Sequence, residues 1–122
     1  MIDSKFSILF VEDEQPIFDW FGTLLQEAGY FAVYCPDGVS GLRIFQERSW
    51  DVVITDRVMP GMTGEQFARE IKSISPSTPV ILITGNLPRD MHLEFFDDVL
   101  TKPFSIEILL ESVRKAIHSS KE

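Results

Sequence analysis

Cysteine is nearly absent from this chain: Cys35 is the one thiol among 122 residues. That excludes an internal disulfide framework and leaves the fold to its apolar core. Cys35 closes the stretch "FAVYC", where a small buried hydrophobe suits the pattern better than a reactive thiol does. Basic charge is scarce too. Eleven Lys and Arg stand against 19 Asp and Glu, a net charge of −8. Phosphate backbones are bound through an excess of cations, so direct nucleic-acid binding is not expected, and a metal cation or a basic partner suits the chain better. Long hydrophobic runs are missing as well. None approaches the roughly 20 residues of a membrane helix, and the opening "MIDSKFS" lacks the basic and apolar regions of a signal peptide. A cytoplasmic location without a membrane partner is the expectation. There are no repeats, low-complexity tracts or linkers.

What is present belongs to a folded domain. Hydrophobic residues make up 44% of the chain and charged ones 25%, with ten Phe, enough for one core and one domain over residues 1–122. Short β-like runs, "FSILFV", "YFAVYC", "DVVIT", "PVILIT" and "DVLT", alternate with helical patterns. Between the first two, Trp20, Phe21, Leu24, Leu25 and Ala28 recur at helical spacing after Pro16 and before Gly29, residues suited to a helix start and stop. A second helix is expected from about Gly38 to Arg48, burying Leu42 and Phe45. A third runs from Thr63 or Gly64 to Ser73, burying Phe67 and Ile71. A last helix follows Ser105 and carries Ile106, Leu109, Leu110, Val113 and Ile117 at core spacing. Between Thr84 and Lys102 the chain leaves room for at most about two to three helical turns, so the fourth of five helices must be short. Strict alternation of strand and helix points to an α/β, doubly wound parallel sheet, whose ligands bind outside the carboxyl ends of the strands.

That rule directs attention to five residues. The first strand ends in Glu12 and Asp13, the third in Asp56, the fourth in Thr84 and the fifth in Lys102. Any one of them alone is more often a solvated loop residue, but successive strand ends would bring all five to one rim. Clustered carboxylates repel and call for a cation, and oxygen-only ligands favour Mg²⁺. Lys102 adds a compact positive charge and Thr84 a hydroxyl for phosphoryl oxygens. These are the parts for phosphoryl transfer to a carboxylate, with Asp56 on the central strand as nucleophile.

The motifs "ILFVEDE", "DVVITDRVMPGMTGEQFAREI", "PVILITG" and "LTKPF", in this order, resemble the receiver domain of two-component response regulators over essentially the whole chain. The resemblance implies a flavodoxin-like five-stranded sheet of order 2-1-3-4-5, the order the receiver of chemotaxis exemplifies. It implies that Asp56 accepts a phosphoryl group from a histidine kinase or a histidine phosphotransfer domain. It also implies that Asp13, Asp56 and the backbone carbonyl of Val58 bind Mg²⁺, or Mn²⁺ in its place, with Glu12 helping through water. Lys102 would contact the phosphoryl group, Thr84 would move toward it, and the Lys102–Pro103 peptide would be cis. Phe18, off the core stripe of the first helix, joins Pro103 and Phe104 as the implied donor-docking patch.

Two positions depart from the family pattern. Val99 stands where the family often has an aromatic three residues before the lysine, and the fourth helix is about one turn short. Both lie on the face receivers use to dimerise or reach an effector, so output is the open question and a homodimer stays open. Val58 cannot hydrogen-bond a water attacking the acyl phosphate, which implies slow self-dephosphorylation. A haloacid-dehalogenase-like phosphatase would want a second Asp two residues after the nucleophile, where Val58 stands, so a multiple-turnover enzyme is not expected. The alternative is a receiver-like interaction module that has lost phosphorylation switching. His92 and His118 lack companion ligands at metal spacing and read as surface residues.

Overall fold

The structure is a computed structural model that describes residues 6–89 and 92–121. Five strands, β1 (Ser7–Val11), β2 (Phe31–Cys35), β3 (Val52–Asp56), β4 (Val80–Thr84) and β5 (Asp98–Thr101), form one parallel sheet of order β2-β1-β3-β4-β5. Every residue of β1, β3 and β4 is buried, which is why these strands read as continuous apolar runs: a parallel sheet is covered on both faces. The period of two then sorts their side chains into two cores. Ile8, Phe10, Ile54 and Ile83 pack with Leu25, Leu109 and Val113 on one face, and Leu9, Val11 and Val53 with Phe45, Phe67 and Ile71 on the other.

The helices are α1 (Gln15–Glu27), α2 (Gly38–Phe45), α3 (Gly64–Ile74) and α4 (Ile106–Lys121). α1 carries Pro16 in its first turn and is closed by Gly29 at φ 102°, a left-handed conformation in which glycine has no Cβ penalty. α3 opens on a capping box, the Thr63 hydroxyl accepting from the Gln66 amide while the Gln66 side chain accepts from the Thr63 amide. In α4 the Ile108 amide donates to the Ser105 hydroxyl at 3.3 Å. α2 stops three residues before the expected Arg48. The Ile44 carbonyl, which a continuing helix would offer to the Arg48 amide, accepts instead from the Glu47 amide and the Trp50 indole, and the Arg48 guanidinium lies over the Phe31 and Trp50 rings.

Where a short fourth helix was expected, the described residues between β4 and β5, 85–89 and 92–97, form turns and extended chain, so the described residues hold four helices. The segment is held by side chains rather than by helical hydrogen bonds. At one end Asn86 closes a turn on Thr84, its amide donating to the threonine hydroxyl. Toward the other, Phe95 and Phe96 pack against the core, the Arg69 guanidinium lies over the Phe95 ring, and Asp97 accepts from Lys72 Nζ at 2.8 Å and from the Val80 amide at 2.7 Å. Among the described residues, no helix is long and apolar enough to cross a membrane.

Candidate functional site

Strand register builds the site. Val11 sits opposite Thr55, so the next residue on each strand, Glu12 and Asp56, emerge side by side at the carboxyl edge. Thr84 sits opposite Thr101, and the Lys102 amide donates to the Thr84 carbonyl at 2.8 Å, which places the lysine at the same edge. Carboxylate oxygens of Glu12, Asp13 and Asp56 all lie within 4.8 Å of one another. Lys102 Nζ is 3.9 Å from Glu12 Oε1 and 3.8 Å from Asp56 Oδ1. Three carboxylates therefore face one ammonium.

Burial makes that imbalance costly. Glu12 is fully buried; its Oε2 accepts from the Glu14 amide at 3.1 Å, while Oε1 has no hydrogen-bond partner among the described residues. Desolvation, reinforced by the charge of Asp56, lifts the Glu12 carboxyl to about 7. Asp56 is also raised, again by burial first, with Lys102 and the Arg57 amide pulling against it; that amide donates to Asp56 Oδ1 at 2.8 Å. An oxygen-only donor set with an orphaned buried carboxylate oxygen fits a hard divalent cation.

The structure brings Glu12, Asp13, Asp56 and Lys102 together. Thr84 is buried at the end of β4, its hydroxyl donating to the Asn86 carbonyl at 2.7 Å. The Lys102–Pro103 peptide is cis. The Val58 side chain is 66% exposed. Pro103 is exposed, and Phe104 is half-buried, stacked on Phe21 at 5.0 Å.

Phe18 and Trp20 exchange their expected places. Phe18 is half-buried, its ring 5.5 Å from Phe10 and 4.8 Å from Tyr34, whereas Trp20, expected on the core stripe, is 64% exposed. Gly22 explains the exchange: a Cβ there would sit 2.8 Å from the Phe18 ring, so the missing side chain opens a slot that turns the buried stripe toward Phe18. One site residue escaped the sequence reading altogether. A Cβ on Gly64 would lie 2.5 Å from the Asp56 carbonyl oxygen, and the Gly64 amide donates to the Arg57 carbonyl at 2.7 Å. Glycine is needed there for α3 to start against the tip of β3; the signal was the Gly directly after the N-cap Thr63.

Cys35 is buried, its thiol pushed up mainly by desolvation. His92, 3.7 Å from Glu94, and His118 are exposed.

Comparison with known proteins places this arrangement. The family description "Response regulator receiver domain" matches residues 8–114. The transcriptional regulatory protein RprY of Bacteroides fragilis is 32% identical over 127 residues, covering 98% of this chain and 54% of RprY. The chain spans about half the length of the curated relatives it matches. The crystal structure of a response regulator receiver domain protein from Clostridium thermocellum is similar at a TM-score of 0.89 and 35% identity, covering 95% of this chain and 97% of that one. The response regulator TrrA of Thermotoga maritima, in complex with Mg²⁺ and BeF, is similar at a TM-score of 0.85 and 32% identity, covering 91% of this chain and 98% of TrrA.

Proposed function

The chain belongs to the response regulator receiver domain family, and from that premise we propose that Asp56 is the phosphoacceptor of a two-component or phosphorelay system. The observation that carries the reading is the convergence of Glu12, Asp13 and Asp56 within 4.8 Å beside the Lys102 ammonium. Asp13 and Asp56, with the Val58 carbonyl, would hold Mg²⁺, and Glu12 would stand behind them; Mn²⁺ is the alternative ion. When bound, the ion supplies positive charge against the phosphoryl oxygens.

The chain's own groups do the rest. An Asp56 carboxylate oxygen forms a bond to phosphorus as the phosphorus–nitrogen bond of a phosphohistidine donor breaks, and the imidazole leaves with that electron pair. Lys102 offsets charge on the transferring group. The Thr84 hydroxyl, engaged with the Asn86 carbonyl at 2.7 Å, is a donor that reaches the phosphoryl group by releasing that bond. Val58 offers no hydrogen bond to a hydrolytic water, so the acyl phosphate is long-lived. The domain turns over one phosphoryl group on itself and not an external substrate.

The donor is a histidine kinase or a histidine phosphotransfer domain. Its docking surface uses Pro103 and the exposed Trp20, while Phe18 and Phe104 are half-buried against the core. Asp13, Glu14 and Asp19 are exposed at the start of α1 with Trp20, so the matching donor surface is cationic, suited to the indole face as well as to the acids. Acetyl phosphate tests the reading. Mg²⁺-dependent labelling that Asp56→Asn abolishes supports it, and labelling that survives in the Asn variant overturns it.

A further inference from the structure

The residue after the phosphoacceptor is anchored at three points. The Arg57 amide donates to Asp56 Oδ1 at 2.8 Å, its carbonyl accepts from the Gly64 amide at 2.7 Å, and its Nε lies 3.7 Å from Glu65 Oε2. Gly64 and Glu65 are the first residues of α3, so all these contacts sit at the base of the loop that leaves Asp56 and returns as a helix. Within the loop, Met59 is anchored inward, 7% exposed with its sulfur accepting from the Thr55 hydroxyl. Val58 stands between those anchors with its side chain in solvent. Its carbonyl direction is therefore set by its neighbours and not by its own packing.

The Arg57–Glu65 contact is itself unusual. Arg57 Nε and Glu65 Oε1 are buried and neither has a hydrogen-bond partner among the described residues, so two partly desolvated groups hold each other by charge through Glu65 Oε2 at 3.7 Å. Both side chains keep about a quarter of their surface in solvent, 28% and 27%, so the pair acts as a partly screened contact whose worth lies in geometry more than in stability.

We propose that Arg57 and Glu65 are positioning residues: their ion pair clamps the loop base and so sets the Asp56 carboxylate and the Val58 carbonyl in the arrangement that binds Mg²⁺. This rests on the receiver reading of the site. The competing role is purely structural. Glu65 lies in the first turn of α3, where any carboxylate stabilises the helix through its dipole, and that role involves no metal.

Mg²⁺ titration by calorimetry, run beside chemical denaturation without metal, separates the two. Arg57→Ala and Glu65→Gln should each weaken Mg²⁺ about tenfold, the scale of losing a group that orients metal ligands. They should slow acetyl phosphate labelling at low Mg²⁺ and spare it at saturation. The decisive variant is the exchange Arg57→Glu with Glu65→Arg. It puts a cation at the α3 N-terminus, so stability falls, yet the restored pair recovers most of the Mg²⁺ affinity. Unchanged affinity in the folded single variants, or an exchange that binds no better than they do, overturns the clamp while the receiver reading stands. A wild-type protein that takes no Mg²⁺ overturns both.

Discussion

Replacing Glu12 by Gln should stabilise the metal-free protein above neutral pH, because the contacts of this buried carboxylate to Lys102 and the Glu14 amide do not offset its desolvation. The carboxyl is held at about 7 against an ordinary 4.5, so between those values the folded chain binds a proton that the unfolded chain has released. Stability contributed by the protonated group is fully present below pH 4.5, declines through the window and is gone above about 7. At ~1.36 kcal/mol per pH unit, the interval corresponds to about 3 kcal/mol, an order-of-magnitude figure for a group coupled to Asp56. Glutamine keeps the shape, retains an oxygen for the Glu14 amide and removes the charge. Urea denaturation of both proteins in chelator from pH 4.5 to 8 measures the difference. The variant should gain on the wild type steadily across the window, the gap reaching a few kcal/mol at pH 8. Mg²⁺ at about 100 times its Kd should return ~2.7 kcal/mol to the wild type and less to the variant. A pH-independent gap, or a variant that is less stable at pH 8, would refute the claim that the desolvation of Glu12 outweighs its contacts to Lys102 and the Glu14 amide.

Gly64→Ala places a methyl 2.5 Å from the Asp56 carbonyl oxygen and should cost about 1–3 kcal/mol by denaturation, as overpacking does, while slowing acetyl phosphate labelling. Trp20→Ala should leave stability within about 0.5 kcal/mol and labelling by acetyl phosphate unchanged, yet weaken phosphotransfer from the genuine donor by about 2 kcal/mol in kcat/KM, as loss of an aromatic anchor does; equal transfer would remove Trp20 from the docking surface. Val58→Asn should shorten the acyl-phosphate lifetime in a time course of phosphate release, and an unchanged lifetime would show that the missing hydrogen bond does not set it.

Much of the fold was legible because parallel strands carry an unambiguous signal: "ILFVE", "VVITD" and "VILIT" are apolar on both faces and end on polar residues. Those ends located the site, since register in such a sheet brings strand tips together whatever the loops do. The failures came where a residue's effect lies in what it lacks or in partners distant in sequence. Gly22 rotated the buried stripe of α1 toward Phe18 by offering no side chain, which periodicity of the apolar residues cannot reveal. Asp97 holds the chain before β5 by reaching Lys72 and Val80, contacts 25 and 17 residues away, so the non-helical course of the described residues there has no local signature. Gly64 reads in the sequence only as a helix start, and its close approach to the Asp56 carbonyl has no local signature.

The central claim is that Asp56 takes a phosphoryl group with a metal ion held by the acids around it. A crystal structure of this chain grown with Mg²⁺ and beryllium fluoride, a phosphoryl mimic, tests it most directly. The fluoride adduct is expected on an Asp56 oxygen with Lys102 and Thr84 turned toward it, and Mg²⁺ on Asp13, Asp56 and the Val58 carbonyl. An adduct on another residue, or an ion that leaves Asp13 and Asp56 without contact, would contradict it.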